Sequence, residues 1–170
     1  MTPVGVDLSL TGTGISTEER CRTVGTLARM SMGYRLTFII EAIEEEIAVI
    51  DEPYIFVEDL LFFVKKGGPM GMVHGALHYW AFQVGVPIFP IAGSALKKFA
   101  TGKGNATKPD MRMSLYRRAD IDLRDDNQVD AWWLRALGYH IMGQPIVELP
   151  KEHLAGLDKL KIQFLEAASA

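Results

Sequence analysis

Alternation of apolar with small or polar residues marks the start of the chain as strand. Residues 4–10 follow the two-residue period of a β-strand, and residues 11–14 supply threonine and glycine for a turn. Two further short strands are predicted at residues 15–17 and 23–27, with a polar stretch between them. The chain is therefore expected to open with a three-stranded antiparallel meander.

The pattern then changes to a helical period. Apolar residues recur every three or four positions between residues 36 and 50, which predicts an amphipathic helix. A wholly apolar strand at residues 54–57 ends at Glu58, and a second helix and buried strand are expected at residues 72–84 and 86–91. Alternation of helix and buried strand predicts two parallel strands. The fold class is thus α/β, with a mixed five-stranded sheet and helices on both faces.

Helices are predicted to close the chain. Two short ones are expected at residues 94–99 and 110–118, a longer one follows at residues 126–142, and an amphipathic helix comes last. We therefore expect one domain over residues 1–147. Residues 148–170 would form a helical extension that packs on this domain or on a partner subunit.

Length and composition agree with a single globular domain. The chain has 170 residues, of which 48% are hydrophobic, and Cys21 is its one cysteine, so no intrachain disulfide can form. Neither a secretory leader nor an apolar stretch long enough to cross a bilayer is visible. We expect a cytoplasmic protein that does not bind membranes.

The net charge of −3 conceals an asymmetry along the chain. Residues 97–124 contain eight basic and three acidic side chains, so this segment is +5 while the remainder is −8. A solvated helix and loop would explain the run as well as a nucleic-acid surface would, and the composition alone leaves both interpretations open.

Four acidic residues suggest the chemistry. Asp7 lies in an apolar strand, Glu58 ends another, and Asp126 and Asp130 share one helix face. A carboxylate is costly to bury alone, and like charges one turn apart repel, so a shared divalent metal is the economical explanation. Each residue also has an ordinary alternative, such as an exposed edge-strand Asp or a helix N-cap at Asp125 or Asp126, although N-capping leaves Asp130 unexplained.

These motifs resemble those of the RuvC-type Holliday-junction resolvases, which belong to the RNase H-like superfamily. The similar segments are Gly-Val-Asp-Leu-Ser at residues 5–9, Phe-Val-Glu at residues 56–58 and Asp-Asn-Gln-Val-Asp-Ala at residues 126–131. The basic stretch at residues 97–108 resembles the segment before the last motif, particularly in phage-encoded members. The likeness runs from about residue 3 to residue 143.

The resemblance implies an RNase H-like fold and a homodimer that cuts two strands of a four-way junction. It implies two Mg²⁺ ions in each active site, for which Mn²⁺ would substitute. Asp7 would bridge both ions, Glu58 would bind one and Asp130 the other. One ion would activate the attacking water, while the other would stabilise the leaving 3′ oxygen.

The fourth ligand departs from the family pattern. The family spaces its last two ligands three residues apart, which places Asn127 opposite Asp130. Either Asn127 binds metal through its neutral oxygen or Asp126, one turn before Asp130, takes that role. We favour Asp126 because it adds negative charge.

The resemblance also implies a DNA-binding set of lysines and phenylalanines. Lys108 is the expected active-site cation, and a pair of phenylalanines after Glu58 occupies the place of an aromatic wedge that enters the junction. Ordinary core phenylalanines are an equally weighted alternative. The set consists of Phe62, Phe63, Lys65, Lys66, Lys97, Lys98, Lys103 and Lys108.

The function predicted from the sequence is a metal-dependent, structure-selective DNA endonuclease that hydrolyses phosphodiester bonds in branched DNA. Two alternative functions stay open. Residues 7–14 also fit the phosphate-binding hairpin of the superfamily's actin-like and sugar-kinase ATPases, although the chain is short for two lobes. A non-catalytic junction-binding protein, with Asn127 marking a degraded metal site, is the other.

Overall fold

One mixed sheet organises the protein. The computed structural model describes residues 1–60 and 68–168. The strand order is β3-β2-β1-β4-β5, with β1 antiparallel to β2, β2 antiparallel to β3, and β1, β4 and β5 parallel. The predicted meander with two added parallel strands is confirmed. The strands are β1 (Thr2–Asp7), β2 (Gly12–Ser16), β3 (Cys21–Gly25), β4 (Pro53–Glu58) and β5 (Ile88–Ile91).

Helices follow the order that the sequence predicts, with one difference at the carboxyl end. The predicted final helix is divided at Gly156, whose φ of +92° suits glycine and breaks the helical path. The helices of the described residues are α1 (Met32–Ile47), α2 (Gly68–Val84), α3 (Gly93–Thr101), α4 (Lys108–Ala119), α5 (Asp126–Ile141), α6 (Lys151–Leu154) and α7 (Leu157–Ala168).

The two faces of the sheet bury different helices. Val4 and Val6 of β1 belong to a core that includes residues of α1 and α2. Phe56 of β4 belongs to a second core, built with α3, α4, α5 and α7. Because side chains alternate along a strand, Gly5 and Asp7 point to the second face, towards α5. This alternation decides on which side Asp7 emerges.

Helix α5 lies unusually close to the sheet. A methyl group at Gly5 would overlap the carbonyl oxygen of Ala131, and one at Gly14 would overlap that of Asn127. Glycine is thus required at both positions for α5 to pack directly on β1 and β2. The close packing fixes the first turns of α5 over the end of β1.

The C-terminal helix α7 packs on β4 and β5 of the same chain. The ring of Phe164 lies 5.0 Å from that of Tyr54, 5.9 Å from that of Phe56 and 5.5 Å from that of Phe89, measured between centroids. Such aromatic contacts add to the burial of apolar surface. The domain boundary at residue 147 stays a prediction.

Across residues 1–60 and 68–168, none of the helices combines the length and apolar character needed to cross a membrane.

Candidate functional site

Asp7 and Glu58 end two neighbouring parallel strands. Val6 of β1 pairs with Val57 of β4, so the two carboxylates occupy the next step of the same register. Adjacent strands lie about 4.8 Å apart. Both residues also follow an alternating pattern that directs them to the face covered by α5. Carboxyl ends of parallel strands are where ligand sites form in open α/β sheets.

Asp130 approaches Asp7 and Glu58 from α5, the helix that covers this face of the sheet. It precedes Ala131, whose backbone contacts Gly5, two residues before Asp7. Burial raises the pKa of Asp7 from 3.8 to about 8, and the negative charges of Asp130 and Glu58 add to this rise. The shift shows that the three carboxyl groups lie within electrostatic reach of one another.

The pKa values of Asp130 and Glu58 are raised as well. Burial raises the pKa of Asp130 to about 6, with Lys108 opposing the rise and Glu58 adding to it. Burial also raises the pKa of Glu58, and the positive charges of Lys97 and Lys108 oppose this. The site therefore combines crowded carboxyl groups with two flanking lysines.

Gly93 makes room for the Glu58 side chain. A methyl group at Gly93 would overlap Oε1 of Glu58 and lie 3.0 Å from its Cδ. Gly93 is the first residue of α3, so the carboxylate lies beside the amino end of this helix. The partial positive charge of a helix amino end favours a carboxylate there.

Three polar residues at the start of α5 contact different partners. Asp125 is the N-cap and accepts a hydrogen bond of 2.9 Å from the backbone N–H of Asn127. The carboxylate of Asp126 lies 3.5 Å from Nζ of Lys108. The amide nitrogen of Asn127 faces Gly12 of β2. Asp126 contributes to the raised pKa of Asp130, which places its charge near the other carboxylates.

The donor set fits a divalent cation in its chemistry. Mg²⁺ and Mn²⁺ prefer oxygen ligands. Burial, with a smaller addition from the neighbouring carboxylates, raises the pKa of Asp7, and a bound cation would offset both effects by favouring the charged form. As the side chains stand, no three acidic or histidine residues among the described part of the chain are arranged closely enough to hold a metal ion. Binding would therefore require the carboxylates to move together.

The predicted DNA-binding lysines are spread over several surfaces. Lys97 and Lys108 act electrostatically on the carboxylates. Lys98 lines a separate cavity between α3 and the C-terminal helices, and Lys103 lines another with Arg117 and Arg118. The remaining four residues of the set lie outside the described residues, and these are Phe62, Phe63, Lys65 and Lys66.

Comparisons with known proteins find likeness in structure only. No family model matches the chain, and no curated protein matches its sequence. A structure of Thermus thermophilus RuvC superposes with a TM-score of 0.66 at 21% identity, covering 87% of this chain and 100% of that one. T. thermophilus RuvC in complex with Holliday junction substrate gives 0.65 at 19% identity, with the same coverage.

The chain has the RuvC fold. The RNase H-like fold expected from the acidic motifs is therefore confirmed over most of the chain. At 19–21% identity the likeness establishes architecture, while the roles of individual residues rest on the geometry described above.

Within the RuvC fold, three residues near the site were not singled out as site residues by the sequence analysis. Gly93 accommodates Glu58, and Asp125 lies close enough to raise the pKa of Asp7. Buried Arg35 donates hydrogen bonds to the carbonyl of Leu10, at 3.0 Å, and to Oγ1 of Thr26. Arg35 thereby anchors the loop that follows Asp7.

The sequence alone offers little to identify Gly93 and Arg35 as residues near the site. Gly93 lies two residues after the end of strand β5, and a glycine there is equally compatible with an ordinary turn, so its contact with Glu58 can be identified only from the fold. Arg35 lies in a helix with apolar positions at three- and four-residue spacing and resembles any solvent-facing arginine there.

Proposed function

We propose that this protein is a divalent-metal-dependent endonuclease that cuts four-way junctions and related branched DNA. The observation that carries the proposal is that the carboxyl groups of Asp7, Glu58 and Asp130 lie within electrostatic reach of one another. They come from β1, β4 and α5, and the charges of Lys97 and Lys108 act on the same groups. The RuvC fold supports it, since one protein with this fold was solved in complex with Holliday junction substrate. The reaction would be hydrolysis of a phosphodiester bond.

Asp7, Glu58, Asp130 and Asp126 would hold the metal, which we take to be two Mg²⁺ ions with Mn²⁺ as a substitute. When bound, the metal supplies positive charge against the reacting phosphate and helps to generate the attacking hydroxide. Asp7 must lose its proton to take part, because its pKa is about 8 in the metal-free protein. Lys108 would hold the scissile phosphate.

Asp126 is our choice for the fourth ligand. Its carboxylate lies on the side of Lys108 and contributes to the raised pKa of Asp130. Asn127 instead directs its amide nitrogen towards Gly12, and its backbone contacts Gly14. For Asn127 to bind the metal through its oxygen, its side-chain amide would have to rotate. Asp126 would have to give up its ion pair with Lys108 and turn its carboxylate to the metal.

The basic residues around the site would bind the phosphate backbone. Lys97 and Lys108 flank the carboxylates and can neutralise phosphates next to the cut, while Lys98 and Lys103 would contact more distant arms of the junction. Such contacts are independent of sequence and weaken as salt rises. The wedge role of the phenylalanines at positions 62 and 63 stays a prediction.

Paired cutting of a junction requires two active sites, so we propose a homodimer. Helix α2 supports this proposal, because its 17 residues include no Asp, Glu, Lys or Arg and its outer face exposes Phe82 and Tyr79. A symmetric dimer places the same surface of both subunits in contact, and an uncharged helix face can meet its own copy without repulsion. We place the protein in the cytoplasm, where this substrate occurs.

A cleavage assay on synthetic junctions tests the proposal. Four-way junctions, flaps and linear duplexes are incubated with Mg²⁺, Mn²⁺ or Ca²⁺, and products are resolved on denaturing gels. We expect junction cutting with Mg²⁺ or Mn²⁺ and a loss of at least about 100-fold in Asp7→Asn, since a ligand is removed while junction binding persists. Asp51→Asn removes an exposed carboxylate before β4 and is the matched control.

Two results would redirect the assignment. Full activity of Asp7→Asn with Mg²⁺ would remove Asp7 from the reaction. Hydrolysis of ATP without DNA cutting would favour the phosphate-binding hairpin of an ATPase, and junction binding without Mn²⁺ uptake in calorimetry would favour a non-catalytic protein.

A further inference from the structure

A cavity of about 530 Å³ adjoins the candidate metal site and extends away from it along α4. Lys108 and Asp126 form its inner edge, so the cavity and the carboxylate cluster share these two side chains. Its remaining walls come from α4 and from the segment that links α4 to α5. The volume lies within the range of about 300–1,000 Å³ that is common for small-ligand pockets.

Helix α4 presents an apolar strip to this cavity. Pro109, Met113 and Tyr116 follow at spacings of four and three, so they share one helix face. Another face of α4 packs into the core of the protein, where Met111 and Leu115 are buried. Met113 remains 49% exposed and Tyr116 53% exposed. Packing within the chain therefore does not account for the strip.

The outer edge of the cavity is polar and held in place. Arg112 donates hydrogen bonds from Nη2 and Nε to Oδ1 of Asp122, at 2.6 and 3.2 Å. This ion pair links α4 to the segment leading to α5 and fixes the guanidinium at the rim. The cavity thus combines an aromatic ring, a thioether and a proline with hydrogen-bonding groups at its edge.

This combination matches a nucleobase. A base presents a flat π-face that stacks on aromatic side chains, and its edge carries hydrogen-bond donors and acceptors. Lys108 and Arg112 supply positive charge for the phosphates that accompany a base. A strand whose phosphate lay at the carboxylates would pass the mouth of the cavity, because Lys108 and Asp126 border both.

We infer that this cavity receives an unstacked nucleobase next to the cleaved phosphate, with Tyr116 as its stacking partner and a determinant of cleavage-site preference. The inference rests on the proposed nuclease function and adds a base-binding subsite to it. It assigns the cavity to the cleaved strand rather than to a free small molecule, because the site shares Lys108 with the candidate reaction centre.

The test uses junctions in which successive nucleotides flanking the cut are made abasic, one at a time. We expect one abasic position to lower cutting by the unsubstituted protein roughly 5- to 100-fold, the range for loss of one stacked base. Tyr116→Ala should lower cutting of the intact junction by a similar factor. In this variant the same abasic position should cause no further loss, and cleavage should spread over more sites. Tyr116→Phe keeps the ring and should retain the preference.

Ile162→Ala is the matched control. Ile162 is 58% exposed on α7 and lines neither the cavity nor the carboxylate cluster, so its truncation should leave cutting and site preference unchanged.

The outcomes separate the two proposals. If every abasic junction is cut at the same rate, or if Tyr116→Ala keeps the cleavage pattern of the unsubstituted protein, the base-binding subsite is overturned and the nuclease stands. If the unsubstituted protein cuts no branched DNA, the proposed function fails and the subsite falls with it.

Discussion

Asp7 is held where its charged form is disfavoured. In an unfolded chain its carboxyl group would ionise near pH 3.8, whereas in the folded, metal-free protein it keeps its proton up to about pH 8. Between these values folding takes up a proton, so stability falls as pH rises and levels off above about 8. If the proposed metal binds there, this position favours metal binding at the expense of the stability of the metal-free protein.

We predict that Asp7→Asn stabilises the metal-free protein. The variant has no charge to desolvate, and at pH 8 its free energy of unfolding should exceed that of the unsubstituted protein by about 2 kcal/mol, after allowance for partial solvent screening. The difference should shrink towards pH 5. Urea unfolding in EDTA at pH 5, 6.5 and 8 measures it. Asp51→Asn should follow the unsubstituted protein, and an unchanged pH slope in Asp7→Asn would contradict the prediction.

The junction between β5 and α3 controls where Glu58 points. We predict that Gly93→Ala lowers junction cutting by about 100-fold, because an added methyl group displaces the end of the Glu58 side chain, and small misplacements of reacting groups carry costs of that size. The fold should persist, since the displaced atoms belong to a flexible side chain and alanine favours helix. Cleavage rates and thermal melting check both statements.

Gly33→Ala is a matched change on α1, where an added methyl group meets nothing within 4 Å. It should leave cutting unchanged. Equal activity of both alanine variants would show that the position of Glu58 does not depend on Gly93.

Element by element, hydrophobic periodicity predicted most of the fold, and contacts between elements account for the rest. The alternation from residue 4 predicted a strand to residue 10, but β1 ends at Asp7 because Ser9 and Thr13 hydrogen-bond across the turn. Gly12 and Gly14 looked like turn residues, yet they form β2 and make room for α5. A glycine required for close packing cannot be told from a turn glycine in sequence alone.

The sequence singled out the carboxylates that lie within electrostatic reach of one another, but not their surroundings, and their role as metal ligands stays a prediction. Asp7, Glu58 and Asp130 follow strand or helix patterns whose ends the sequence marks clearly. The preference for Asp126 over Asn127 depended on charge, and their different neighbours, Lys108 and Gly12, follow from how α5 packs on the sheet. That packing is a long-range property and leaves no local pattern.

At the scale of the whole molecule, α2 presents an apolar surface that packing within the described residues does not explain. Its inner face buries Val73, Leu77 and Ala81, while Phe82 on the outer face is 86% exposed and Tyr79 is 65% exposed. Contiguous apolar surface of this kind marks interaction sites in folded proteins. Under the proposed function, paired cutting would require a second copy of the chain, and α2 is the surface that we propose for this contact.

We predict that Phe82→Asp separates the dimer into monomers, because the symmetric contact would bring two carboxylates into one apolar interface. Sedimentation analysis over a concentration series should show at least a tenfold weaker association, and the two cuts of a junction should become independent events in a supercoiled-plasmid assay. Val49→Asp alters another apolar side chain, 80% exposed after α1, and should change neither. A Phe82→Asp protein that still sediments as a dimer would remove α2 from the interface, and the second active site would then have to be brought to the junction by another surface.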